Sequence, residues 1–108
     1  MKYINVAKEF SLTPFGRDHL DGPNNGTRFR QEKLLPELKD STCDEQLTVD
    51  FNGISLAVGS SFFEEAFGGL VRINHLDKND LLNRLRIVSK TPIYEMQIKK
   101  FITEAESN

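Results

Sequence analysis

Three observations predict a layered α/β domain with a short, mainly parallel sheet and helices packed mostly on one face. Strand-like and helix-like segments alternate, in the order strand, helix, strand, helix, short helix, strand, helix, and alternation of this kind favours parallel strands joined by helical crossovers. The helical segments place apolar residues at i, i+4 and i+7, as in Phe63, Phe67 and Leu70, which marks a core-facing stripe. The strands are few and short, so a compact sheet is expected rather than a full doubly wound fold. The chain has 108 residues and a mass of 12.3 kDa, close to the commonest domain size, and 1–108 is read as a single domain.

Taken in order, Met1 to Phe10 is expected to hold the first strand, with Tyr3, Ile4 and Val6 as its apolar positions. Ser11 to Gly26 follows, with Pro14, Gly16, Gly22, Pro23, Asn24, Asn25 and Gly26. That density of turn residues excludes a regular element, and loops of such length are uncommon unless functional or mobile. From Thr27 the pattern turns helical through Phe29, Leu34, Leu35 and Leu38. Pro36 has no N–H to donate and is expected to kink or restart this helix. Asp40 to Glu45 is a polar connector.

Leu47 to Phe51 reads as the central, buried strand, and Asn52-Gly53 is a turn signal. After Ile54, Leu56, Val58 and Gly59, a helix opens at Ser60-Ser61, since serine at a helix start accepts hydrogen bonds from the unpaired first-turn amides. Gly68-Gly69 inside that helix costs about 1 kcal/mol per residue, so the pair either ends the helix or lets a neighbouring backbone come close. Glu64-Glu65 reads as a solvated face that suits the positive end of the helix. Asp77 caps a short helix with Leu81, Leu82 and Leu85 on it, Arg86 to Ser89 forms a strand, and Thr91-Pro92 is a strong start signal. The last helix carries Tyr94, Ile98, Phe101 and Ala105 on one side.

A formal net charge of −2 gives no electrostatic footprint for nucleic acid. No stretch is apolar enough to span a membrane and the N-terminus is not built like a signal peptide, so a cytoplasmic protein is expected. The lone Cys43 excludes an internal disulfide and a cysteine-rich zinc site, and no metal or cofactor is called for. His19 and His75 are the only histidines, neither in a recognisable spacing to Ser60 or Ser61, and Val58-Gly59-Ser60-Ser61-Phe62 lacks the second glycine of a nucleophile elbow. An enzyme is not expected. Gly16, Arg17, Asp21, Gly22 and Gly26 hint at a phosphate cradle without the Gly-Lys-Ser/Thr ending of a P-loop. Arg17 is either a phosphate fork or the partner of Asp18, Asp21 or Glu32. Arg28 and Arg30 oppose the dipole at their helix start, which makes them candidates for binding.

Thr13-Pro-Phe-Gly-Arg17, Asp21-Gly22, Gly26, Phe29-Arg30 and the run Gly59-Ser-Ser-Phe-Phe-Glu-Glu-Ala-Phe-Gly-Gly-Leu70 together resemble the STAS-like domain family of unknown function, the DUF4325 group, over roughly residues 1–100. The resemblance implies a STAS-type α/β fold similar to anti-sigma factor antagonists, in which a serine at a helix start is phosphorylated by a partner kinase. By position Ser61 matches that serine and Ser60 its neighbour, while Gly59 replaces the antagonists' aspartate and Phe62 their glycine. The function this implies is a regulatory protein–protein interaction module, switched at Ser60/Ser61 by a kinase-like ATPase partner. The alternative is a small anionic ligand or nucleotide binder using the Gly16–Gly26 loop; Gly16, Arg17, Asp21, Gly22, Arg28 and Gly59 are the candidate anion- or partner-binding residues.

Overall fold

A computed structural model describes residues 2–40 and 45–106; Cys43 and most of the connector at 40–45 lie outside the described residues. Strand β1 is Lys2–Asn5, β2 is Leu47–Asp50 and β3 is Leu85–Val88, all parallel, in the spatial order β1-β2-β3. The strand expected at Leu47 is therefore central. Crossovers between parallel strands are almost always right-handed, so a sheet that grows in one direction puts both crossover segments on the same face. The register shows the result. Ile4, Val49 and Ile87 stand side by side, with Ile4 and Val49 buried, whereas Tyr3, one position away and 51% exposed, is aligned with Thr48 and Arg86 on the other face. There the Tyr3 hydroxyl donates to Asp50 Oδ2, and that bond, with the nearby carboxylate, raises the phenol's pKa.

The first strand is shorter than its sequence suggests. Asn5 ends it by accepting a hydrogen bond from the Lys8 amide and capping a one-turn helix, α1, Val6–Glu9; Val6 is buried from that helix rather than from the strand. Asn25 likewise accepts from the Arg28 amide and starts the next helix at Gly26, one residue earlier than expected. Gly26–Phe29, Arg30–Leu34 and Leu35–Asp40 follow without a break, the middle turn π-helical. Together residues 26–40 are α2. Pro36 does not restart this helix: the Leu35 N–H reaches back to the Arg30 carbonyl, one residue further than in an α-helix, and the widened turn absorbs the proline.

Ser60–Phe63, Glu64–Gly68 and Gly69–Arg72 form a second continuous helix, α3 (residues 60–72), again with a π-helical middle turn. It runs through the Gly68-Gly69 pair and closes at His75, whose φ of 59° turns the chain so that the Leu76 N–H bonds the Leu70 carbonyl at 2.9 Å. Helix α4, Lys78–Arg84, has the expected Asp77 cap. Helix α5, Pro92–Glu104, has the expected Thr91 cap and proline start. The last strand begins at Leu85 rather than Arg86, directly after α4.

Helix α3 is the centre of the core. Phe62, Phe63, Ala66, Phe67 and Leu70 are all fully buried, far more than a single stripe. Phe29 and Phe62 lie with ring centroids 5.7 Å apart, Phe51 and Phe63 5.4 Å, and Phe63 and Tyr94 5.1 Å. Tilted and edge-on pairs of this kind add about 0.5–1.5 kcal/mol each beyond the area they bury. On α5 the buried positions are Ile98 and Ile102, with Ala105 just beyond the helix end.

Candidate functional site

The loop at 11–25 is fixed to the start of α2 and to the segment that follows β2. Gly26 N–H bonds the Gly16 carbonyl at 2.9 Å, Thr27 N–H the Arg17 carbonyl at 3.1 Å, and Ser55 N–H the Leu12 carbonyl at 2.6 Å. Within the loop, Asp21 Oδ2 accepts from the Arg17 amide at 2.8 Å. That close turn needs Gly16: its φ is +85°, and a Cβ there would fall 2.3 Å from the Asp21 Cβ. Gly26 serves the packing of two helices, since a Cβ there would stand 2.8 Å from the Phe62 carbonyl oxygen.

Phe15, Gly16 and Asp21 from the loop and Gly59, Ser60, Ser61 and Phe62 from the helix start line a depression of about 270 Å³. The sequence-derived residues Gly16, Asp21, Gly59, Ser60 and Ser61 are thus brought together, while Gly22, Arg17 and Arg28 do not line it. The serines are not the cap. Gly59 occupies that position, with φ −84° and ψ 164° and no side chain to accept a bond. Ser60 and Ser61 are the first two residues inside the helix, where a hydroxyl lies past the amides that a cap would reach. Both serines are exposed, and among the described residues neither hydroxyl has a hydrogen-bond partner.

The arginines have other partners. Arg17 crosses to α3, where Nη1 donates to Glu64 Oε1 and lies 3.5 Å from Glu65 Oε1. The Glu64 bond, against a smaller desolvation effect, raises the guanidinium's pKa further. Neither Asp18 nor Asp21 takes this side chain, whose guanidinium lies with the Glu64 and Glu65 carboxylates instead. Arg28 pairs with Glu32 at 3.1 Å, donates to the Pro23 carbonyl and lies over the Phe10 ring. Gly22 sits in the loop with φ +144° and open space around it.

Arg30 is buried. Its Nη1 donates to the Glu65 carbonyl at 2.6 Å and to Glu65 Oε2 at 2.7 Å. Both residues belong to the π-helical turns of their helices, and such a turn leaves a main-chain carbonyl short of its usual amide. Gly69 makes room for the guanidinium, because a Cβ would come within 2.3 Å of Arg30 Nη1. The close approach is therefore of a side chain, not of a neighbouring backbone. Glu64 and Glu65 are not a solvated face: Glu64 also accepts from Arg72, and Glu65 is buried, accepting from Arg30 and from the Thr27 hydroxyl at 3.2 Å. Burial pushes the Glu65 carboxyl up, but its bonds to Arg30 and Thr27 and the charges of Arg30 and Arg72 outweigh that and hold it below the usual carboxylate range. Sequence reasoning missed this cluster. Its one visible signal was an arginine at the wrong end of a helix dipole.

An exposed apolar residue lines the serine depression: Phe15 is 58% exposed. Leu12, joined by a backbone bond to Ser55, is 53% exposed. Among the described residues no helix is long and apolar enough to cross a membrane. Residues 25–95 match the family described as the STAS-like domain of unknown function (DUF4325). No curated protein and no solved structure matches the chain.

Proposed function

The chain belongs to the STAS-like domain family of unknown function, and from that premise we propose that it is a non-catalytic regulatory module whose partner docks on the Ser60/Ser61 helix start. The observation that carries this reading is the pair of exposed, unbonded serine hydroxyls beside exposed Phe15. Neither hydroxyl contributes a bond to the fold, so both are free to meet another molecule, and an exposed aromatic residue with polar groups at its edge is the kind of surface a partner covers.

By similarity to anti-sigma factor antagonists, the partner is a kinase-like ATPase and Ser61 the residue it phosphorylates. A phosphoserine would place about −1.5 to −2 charge in this surface, next to the Asp21 carboxylate that lines the same depression. Docking would strip water from the phosphate and the carboxylate together, and that desolvation cost would weaken the complex. The alternative of a small anion held by the Gly16–Gly26 loop has less support, since Arg17 is held by Glu64 and Asp21 is the charged residue that lines the depression.

A photo-crosslinking residue at position 61, introduced in the native host, would capture the partner for identification by mass spectrometry. Affinities for that partner are then measured calorimetrically. Ser61→Asp is expected to bind at least about tenfold more weakly than Ser61→Ala, a difference of about 1.4 kcal/mol, and Phe15→Ser to weaken both. Equal affinities for the Asp and Ala variants would remove the switch; an unaffected Phe15→Ser would move the docking surface elsewhere.

A further inference from the structure

A second depression, of about 350 Å³, opens at the carboxyl ends of β2 and β3. In parallel α/β folds ligand sites are commonly built from the loops that leave the carboxyl ends of the strands. One wall is the segment following β2, with Ile54, Ser55 and Leu56; the other is Ser89, Lys90 and Tyr94 at the start of α5. Phe51 lies at its base, buried and edge-on to the Tyr94 ring at 5.8 Å. The Tyr94 hydroxyl accepts from the Val58 amide at 2.9 Å, which ties the two walls together and keeps the ring in place.

The charge in the two depressions is opposite. Lys90 is the charged residue lining this one, where Asp21 lines the serine depression. Among the described residues Lys90 has no acidic partner, whereas Lys99, further along on α5, pairs with Glu95. The helix start itself contributes little: Pro92 has no N–H, and the Ile93 amide is already taken by Thr91 Oγ1 at 3.3 Å. The polar groups left for a ligand include the Lys90 ammonium, the Asn52 side-chain amide and the hydroxyl protons of Ser55 and of Ser89, whose oxygen accepts from the Thr91 amide.

We propose that this crevice binds a small organic carboxylate with an apolar body: the carboxylate on Lys90 and the serine hydroxyls, the body against Ile54, Leu56 and Tyr94. The site is separate from the proposed partner surface, although the segment that forms its wall leads through Val58 to Gly59 and Ser60. Benzoate is a suitable probe, with benzamide as its neutral counterpart and inorganic phosphate as an anion without an apolar body. In amide chemical-shift titrations benzoate is expected to give saturable shifts at Gly53, Ser55, Leu56 and Lys90. Benzamide and phosphate should bind at least about tenfold more weakly. Lys90→Gln should lose benzoate binding to a similar degree, while Lys99→Gln keeps it. Silence of these amides at millimolar benzoate, benzamide matching benzoate, or full binding by Lys90→Gln would each overturn the assignment. Equal binding of phosphate would remove the apolar part of it.

Discussion

Two successive turns of one helix, α3, are built on opposite terms. At 64–65 the carboxylates are held by arginines from three parts of the chain: the loop (Arg17), α2 (Arg30) and α3 itself (Arg72). At 60–61 the hydroxyls have no partner among the described residues and face solvent. The serine turn could be altered with little effect on folding, and the carboxylate turn could not. A surface that folding does not need is one that partner binding is free to shape, which is why the proposed function is placed on the serines and not on the more conspicuous ionic cluster.

The largest expected effect breaks the enclosed turn. Glu65→Ala leaves the Arg30 guanidinium buried without its carboxylate, and removing one member of a buried pair costs about 3–5 kcal/mol. Urea denaturation of the variant measures it. A loss below about 1 kcal/mol, the range of exposed ion pairs, would show that the cluster is more hydrated than its burial implies.

Gly69→Ala tests the same site from the other side. The new methyl group meets Arg30 Nη1 at 2.3 Å and Cζ at 3.0 Å, and overpacking of this kind typically costs about 1–3 kcal/mol. At Gly68 the nearest atom is the movable end of Glu64, at 3.0 Å, so Gly68→Ala should be far milder and could gain from alanine's helix propensity. Equal effects of the two substitutions, compared by urea denaturation, would mean that Gly69 is not there to make room for Arg30.

Acid should weaken the cluster without mutation. The folded-state pKa of Glu65 is depressed, so its stabilisation is fully present above the unfolded value, about 4.3. It is lost as the pH falls through the folded value. The stability gap between the natural protein and Glu65→Gln should therefore be constant near neutral pH and narrow below about pH 4. A gap that stays unchanged into strong acid would assign the acid sensitivity to other carboxylates.

The smallest effects belong to the serine turn. Ser60→Ala and Ser61→Ala should each stay within about 0.5 kcal/mol, as exposed substitutions do, because neither hydroxyl caps the helix. A loss of about 0.5–2 kcal/mol, the usual cost of removing a cap, would restore a capping role. Gly59→Ser is the sharper test: the backbone there is already extended and nothing lies within 4 Å, so a hydroxyl at 59 should stabilise by a few tenths of a kcal/mol. Thermal unfolding of the three variants side by side resolves the order.

The sequence alone determined the elements and their class. Alternating segments, the Thr91-Pro92 and Asp77 caps and the apolar stripe of Phe63, Phe67 and Leu70 are local signals, set by backbone geometry and side-chain spacing within a few residues, and the parallel sheet with β2 at its centre follows from them. The serine pair was also legible as the opening of a helix, since serine is favoured at helix starts, and α3 does begin at Ser60. What only the tertiary structure decided were pairings between residues 35 or more positions apart: Arg30 with Glu65, Arg17 with Glu64. A sequence shows that Glu64-Glu65 are charged; it does not show that three arginines converge on them, since that depends on where α2 and the loop come to rest. The choice of Gly59 over a serine as the cap was likewise set by where α3 could begin. Phe62 and Phe63 are both fully buried, and with both anchored in the core, Ser60 and Ser61 take up the first helical positions instead of the cap.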